Sequence, residues 1–257
     1  MSFWQDRLGF LTVLRREVTR FWSIKRQTLL APLLETYLYI SIFGAALGSR
    51  IKELDGVPYI DFIIPGLIMM TFAMNAFSNN SSTILQQKIQ RAIDDQLASP
   101  VSNLELMAAF ALGGFLRGAM IAAVVFLTAN ALVDLPLAHP LLFAGSLVVI
   151  GLFFALAGVL VGVLAETFDN ISFYQTFIIQ PLIFLGGVFY SVSLLPELAQ
   201  TATRFNPIFY MINTVRYGML GQSDVNPYLS LLMVGIGTAV LFAINVQVFR
   251  RGYKLRV

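Results

Sequence analysis

Thr71, Asn75, Ser78, Asn79 and Ser82 stand at i, i+4, i+7, i+8 and i+11 inside an otherwise apolar stretch. At about 100° per residue, this spacing puts five hydrogen-bonding side chains on one face of a helix. Such a face in a bilayer must meet another helix or water, so it fits either polar helix packing or the lining of a path. Two charges, Glu35 and Arg117, also interrupt apolar runs. If the run holding Arg117 enters the membrane near Leu104, the guanidinium lies near mid-membrane and needs a partner. If it enters at Gly113-Gly114, Arg117 lies near the surface and can snorkel. Glu35 is about two turns from the end of its own run, within reach of Arg117, so the two are expected as an intramembrane charge pair.

No catalytic constellation accompanies these groups. There is no Cys and a single His, His139, which falls in a short loop and is given no role. A zinc site therefore lacks ligands, and no metal site is expected. The chain has no Gly-x-x-x-x-Gly-Lys-[Ser/Thr] loop to cradle nucleotide phosphates and no Gly-x-Ser-x-Gly elbow. Work against a gradient must draw on a partner or an ion.

The elements that must position these residues are membrane helices. Of the 257 residues 57% are hydrophobic and 12% charged, against the roughly 25% charged of a soluble domain. The apolar residues are blocked into long runs without strand-like alternation, which excludes a β-barrel. Six spans are expected, at 28–48, 60–83, within 104–133, 140–165, 171–187 and 228–249. Before them Trp4, Leu8, Leu11, Leu14 or Val18, and Trp22 recur at helical spacing beside Arg7, Arg15, Arg16 and Arg20. Residues 1–27 are expected as an amphipathic interfacial helix rather than a signal peptide. In 188–226 the breaks at Pro196, Asn206-Pro207 and Gly221 leave two pieces too short to cross, expected as a re-entrant pair. Gly151, Ala155, Gly158 and Gly162 form a small-residue stripe for close helix packing.

Lys and Arg placement orients the chain. With the amino terminus inside, the inner segments hold Arg7, Arg15, Arg16, Arg20, Lys25, Arg26, Lys88, Arg91, Arg250, Arg251, Lys254 and Arg256, while the outer ones hold Arg50, Lys52, Arg204 and Arg216. Both termini are then cytoplasmic. The expectation is an all-α integral membrane protein with one transmembrane domain over 1–257: interfacial helix 1–27, five spans in 28–187, re-entrant helices in 188–226, and the last span with a basic tail in 227–257. In the inner loop after the second span, Ile89, Ile93 and Leu97 recur every four residues, which predicts a short amphipathic helix stopped before Pro100.

Three stretches resemble type-2 ABC-transporter permeases, the membrane subunits of bacterial polysaccharide and drug exporters. Gln90-Arg91-Ala92-Ile93-Asp94-Asp95-Gln96-Leu97-Ala98-Ser99-Pro100-Val101-Ser102 is similar to that family's coupling region. Ala165-Glu166-Thr167-Phe168-Asp169-Asn170-Ile171-Ser172 is similar to its turn between the fourth and fifth spans. Pro181 through Gly187, followed by Phe189-Tyr190, Leu195-Pro196, Asn206-Pro207 and Arg216-Tyr217-Gly218, is similar to its carboxyl-terminal signature. The resemblance implies a multi-pass protein of the bacterial inner membrane, paired with a second copy and with two copies of a soluble ABC ATPase that supplies ATP and Mg. No cofactor is expected in this chain itself, and no nucleic acid. By the same likeness Gln90, Arg91, Asp94, Asp95, Pro100, Glu166 and Asp169 would meet the ATPase. Thr71, Asn75, Asn79, Phe173, Phe177 and Phe184 would line the path, and Phe189, Tyr190, Pro196, Pro207 and Arg216 would form its outer gate. The substrate implied is a glycan, lipid or hydrophobic drug. An ion-coupled secondary transporter is the alternative, disfavoured because the Pro-Gly breaks fall in one half of the chain only.

Overall fold

The computed structural model describes residues 3–43, 53–54 and 56–255, with side chains from residue 9 onward except that of residue 27. The expected end of the first span at 44–48, with Arg50, Lys52 and Arg256, lies outside the described residues, as do the side chains of Trp4, Arg7 and Leu8. Apart from one short antiparallel pair, Glu53–Leu54 with Val57–Pro58, regular structure among the described residues is helical.

Helix α1 (Phe3–Ser23) breaks at Ile24 and is followed by α2 (Lys25–Ile42). The long helix α3 (Tyr59–Ile89) ends at Arg91, whose φ of 56° lies in the left-handed region and turns the chain into the short α4 (Ala92–Ala98). Helix α5 (Asn103–Leu132) opens on a reciprocal capping box between Ser102 and Glu105. Helix α6 (Pro140–Leu164) starts with Pro at its first position, where no donor is lost. Helix α7 (Phe168–Phe173), capped by Thr167 and Asn170, continues through a π-helical stretch (Tyr174–Ile179) into α8 (Gln180–Leu185). Helices α9 (Glu197–Arg204), α10 (Pro207–Leu220) and α11 (Pro227–Arg251) complete the chain. Asn206 and Asn226 cap α10 and α11, and both end on a glycine with positive φ, Gly221 at 72° and Gly252 at 64°.

Four helices, α3, α5, α6 and α11, are long and apolar enough to cross a bilayer. The apolar part of α2 is the shorter Thr28–Ile42. The segment expected as the fifth span is one helical column from 168 to 185, about 27 Å at roughly 1.5 Å per residue.

Helix α3 is the axle of the bundle, flanked by α5, α6 and α10. Apolar surface gives little drive for helix association in lipid, so contact depends on how closely backbones approach. The stripe on α6 does this: a Cβ at Gly158 would sit 2.4 Å from the Phe77 carbonyl oxygen, and one at Gly151 would sit 2.2 Å from the Phe72 ring. Gly114 and Gly118 of α5 face Asn80 and Phe72 in the same way.

One local expectation is corrected. Ile89, Ile93 and Leu97 do not share one helix, because the turn at Arg91 assigns Ile89 to α3, where it is exposed, while Ile93 is buried. Helix α1 meets the bundle through a face that excludes Leu11 and Trp22. Gly9 abuts Val101, and Val13, Glu17 and Phe21 are buried at spacings of four, while Leu11 and Trp22 are 54% and 51% exposed. The glycine and the polar partners of Glu17 select the packing face, leaving the more apolar face outward.

Candidate functional site

A cavity of 710 Å³ lies between α2, α3, α5 and the 174–185 segment. The polar face of α3 divides around it. Thr71, Asn75 and Ser78 line it, and Thr71 and Asn75 also bond back to carbonyls one turn earlier. Asn79 is fully buried beside it. The polar face is thus split, with 71, 75 and 78 facing open space and 79 packed among helices.

Of the other expected path residues, Phe184 lines the cavity but Phe173 and Phe177 do not. These two stack at 5.4 Å and are 53% and 69% exposed. The π-helical turn is the cause: its wider winding rotates everything after it, so an α-helical period cannot carry one face from 173 to 184. Gln175 and Gln180 line the cavity as well.

Glu35 and Arg117 both line the cavity, but no ion pair joins them. Arg117 Nη1 instead donates to Asn79 Oδ1 at 3.2 Å, and Arg20 Nη2 of α1 donates to that same oxygen at 2.8 Å. From Asn79 a buried network runs in both directions. Asn79 Nδ2 donates to Asn80, and Asn80 donates to the Ala155 carbonyl of α6. Arg20 pairs with Glu17 at 3.2 Å, and Glu17 also accepts from Gln87 Nε2 at 3.2 Å. Gln87 in turn accepts from Gln96 of α4 at 2.7 Å. A chain of hydrogen bonds thus connects the short helix α4 to the cavity wall through α3 and α1. Glu17, Asn80 and Gln87 had no functional signature in the sequence; of this network the polar spacing on α3 pointed only to Asn79.

Residues expected to meet an ATPase gather at one end of the bundle. Gln90, Arg91, Asp95, Pro100, Glu166 and Asp169 are exposed, and Asp94 is half-buried. Three contacts tie this end together. Lys88 Nζ donates to the Val163 and Ala165 carbonyls at 2.6 and 2.9 Å, satisfying the open end of α6 with a cation. Asn103 Nδ2 donates to the Phe249 carbonyl. Lys254 pairs with Glu166 at 2.8 Å, and this hydrogen bond holds the Glu166 carboxyl below its ordinary value while raising Lys254 above its own. A second cavity, of 630 Å³, opens here between α1 and α3 and is lined by Arg15, Arg16 and Arg20 with Gln86 and Gln90.

At the opposite end Phe189 stacks on Phe43 at 5.1 Å, and its carbonyl accepts from the Tyr59 hydroxyl at 3.1 Å. Arg216 is buried; it donates to the Gly187 carbonyl at 2.7 Å and lies 3.8 Å from the centre of the Phe62 ring. Tyr59 and Arg216 thus each clasp the 186–190 loop by one of its carbonyls. Tyr190 is half-buried in that loop, while Pro196 and Pro207 are exposed and set the first turns of α9 and α10. His139 stacks on Tyr217 at 4.7 Å where α6 begins.

Four long apolar helices packed together fit a multi-pass membrane protein. The model of the ABC-2 type transporter family matches residues 9–220, and the chain belongs to that family. It is the membrane subunit of an ABC transporter, a transport permease rather than an enzyme, seated in the inner membrane. The chain is 40% identical to the inner membrane transport permease YadH of Escherichia coli K12 over 94% of both chains. It is 30% identical to nodulation protein J of Rhizobium leguminosarum bv. viciae over 95% of both, and 28% identical to that of Rhizobium meliloti over 95% of this chain and 93% of the relative.

Proposed function

We propose that this chain is half of an ATP-driven exporter: two copies form the path, and two copies of a separate ABC ATPase drive it. In this reading α2, α3, α5, α6, the 168–185 column and α11 are the six spans, with both termini cytoplasmic. Helix α1 lies at the inner interface, and α9 and α10 form the re-entrant pair of a single transmembrane domain. Placement of the 88–103, 163–170 and 249–254 segments at one end supports an even number of crossings, since the chain leaves and returns to that end.

The observation that carries the reading is α4. It is a two-turn helix held on α3 by Ile93 and Gln96, with Arg91 and Asp95 presented outward, and it is bonded through Gln87, Glu17 and Arg20 to the cavity wall. A motor that displaces α4 therefore moves groups at the path. Closure of the ATPase pair on ATP would favour one of two packings of this network, a population shift driven by differential contacts. The exported substrate is a glycan, lipid or hydrophobic drug, with the clasped 186–190 loop, α9 and α10 as the outer gate.

Purification in mild detergent tests the assembly: a soluble ABC ATPase is expected to stay bound to a permease pair. Replacing Asp94 and Asp95 by Lys is expected to leave ATP hydrolysis running without transport. Full transport by the purified chain alone, or unchanged coupling in that variant, would overturn the proposal.

A further inference from the structure

We propose that the 710 Å³ cavity binds an amphiphile whose headgroup carries both an oxyanion and an amine, with Arg117 taking the phosphate or carboxylate and Glu35 the ammonium. The inference rests on the exporter reading for its biological setting and names the class of substrate the cavity selects.

Opposite charges facing one membrane-level cavity would ordinarily neutralise each other, because each is costly there alone. Here they are held apart. Arg117 is tethered through Nη1 to Asn79, which also receives Arg20, so the guanidinium is anchored toward α1 and α3. Its Nη2 makes no hydrogen bond among the described residues and is the guanidinium nitrogen left for a carboxylate or phosphate oxygen, while Nε is buried without an acceptor. Arg20 and Arg117 converge on one oxygen, and Glu17 pairs with Arg20, so the network as a whole stays cationic beside the cavity. Glu35, also on the cavity lining, is exposed and makes no ion pair or hydrogen bond among the described residues. Thr28 belongs to the same lining, its hydroxyl buried and without a partner among the described residues.

A purely anionic guest would satisfy Arg117 but face the Glu35 carboxylate, and a purely cationic one would do the reverse. Only a headgroup with both charges meets both residues. The remaining wall suits an attached chain: Leu38, Ile42, Met70 and Phe184 are apolar, and the methionine adapts its shape to the guest.

The experiment uses the full-length chain in an uncharged maltoside detergent. Three probes with the same acyl chain are compared by dissociation constant: a lysophosphatidylethanolamine, a lysophosphatidic acid and an alkylamine. The unsubstituted chain is expected to bind the zwitterion about tenfold tighter than either singly charged probe, the scale of one charge-assisted hydrogen bond. Glu35→Gln, which removes no contact seen in the fold, is expected to bring the zwitterion down to the level of the anion. Arg117→Gln is expected to bring it down to the level of the amine, and Arg117→Lys to recover part of the loss. Should Arg117 variants unfold, Glu35→Gln decides alone. Equal binding of all three probes by the unsubstituted chain, or an unchanged order in Glu35→Gln, overturns the proposal. Loss of selectivity with the ATPase still bound removes this inference only; selectivity without a bound ATPase removes the exporter reading only.

Discussion

Glu17 is 1% exposed and accepts from Arg16, Arg20 and Gln87, so one carboxylate joins α1 to the end of α3. Glu17→Ala leaves Arg20 and Gln87 short of an acceptor, and a loss of about 2 kcal/mol is expected for a part-buried, charge-assisted set. A lowered detergent melting temperature checks this, with Glu17→Gln recovering part of it because an amide oxygen still accepts. Such a role is hard to see in a sequence, where an acid among four arginines describes a solvated face equally well. The polar residues on α3 were legible because apolar neighbours isolate them, yet which of them face the cavity depended on where α5 and α6 approach. Arg117 shows the same gap: its need for a partner was readable, but Asn79, not Glu35, meets it.

At the scale of elements, close packing and turns decide. Gly158→Ala drives a methyl into the Phe77 carbonyl and is expected to cost about 1–3 kcal/mol as α3 and α6 separate. Gly145→Ala on the same helix meets nothing within 4 Å and is expected to gain up to about 1 kcal/mol from helix propensity. Thermal melts of the two variants test whether the stripe, rather than glycine itself, matters. Arg91→Gly relieves a left-handed residue worth about 1 kcal/mol while deleting its charge. The fold is expected to gain stability as ATPase binding weakens, separating the turn from the contact; pull-down and melting on one preparation read both. The tail contact has a worked pH dependence. Glu166 is held below its ordinary value, so its contribution is complete above the usual carboxylate range, ~4, and is lost as pH falls through the lower folded value. Lys254 is raised, so its contribution is complete below its usual ~10 and is lost only as pH rises further. Protection of residues 252–255 from hydrogen exchange, taken relative to the intrinsic rate at each pH, is expected to stay flat between these limits and to fall beyond them.

The whole molecule is the level at which sidedness is tested. The sequence contains no cysteine, so single cysteines at Asp95 and Ser223 report unambiguously. A membrane-impermeant maleimide is expected to reach Ser223→Cys from outside intact cells and Asp95→Cys only after lysis; labelling of both from one side would refute the six-span arrangement. By itself the sequence determined the helical membrane class, the position of the four long apolar helices, the short helix after α3, and the ABC-2 permease family. Those follow from runs of apolar residues, caps and turn residues, which act over one or two turns and leave their mark locally. Only the tertiary structure decided which faces meet: α1 packing by Gly9, Val13, Glu17 and Phe21, the π-turn that parts Phe184 from Phe173 and Phe177, and the hydrogen-bonded chain from α4 to Arg117. In lipid, apolar faces are nearly equivalent, so partner choice falls to glycine-sized gaps and to polar groups distant in sequence.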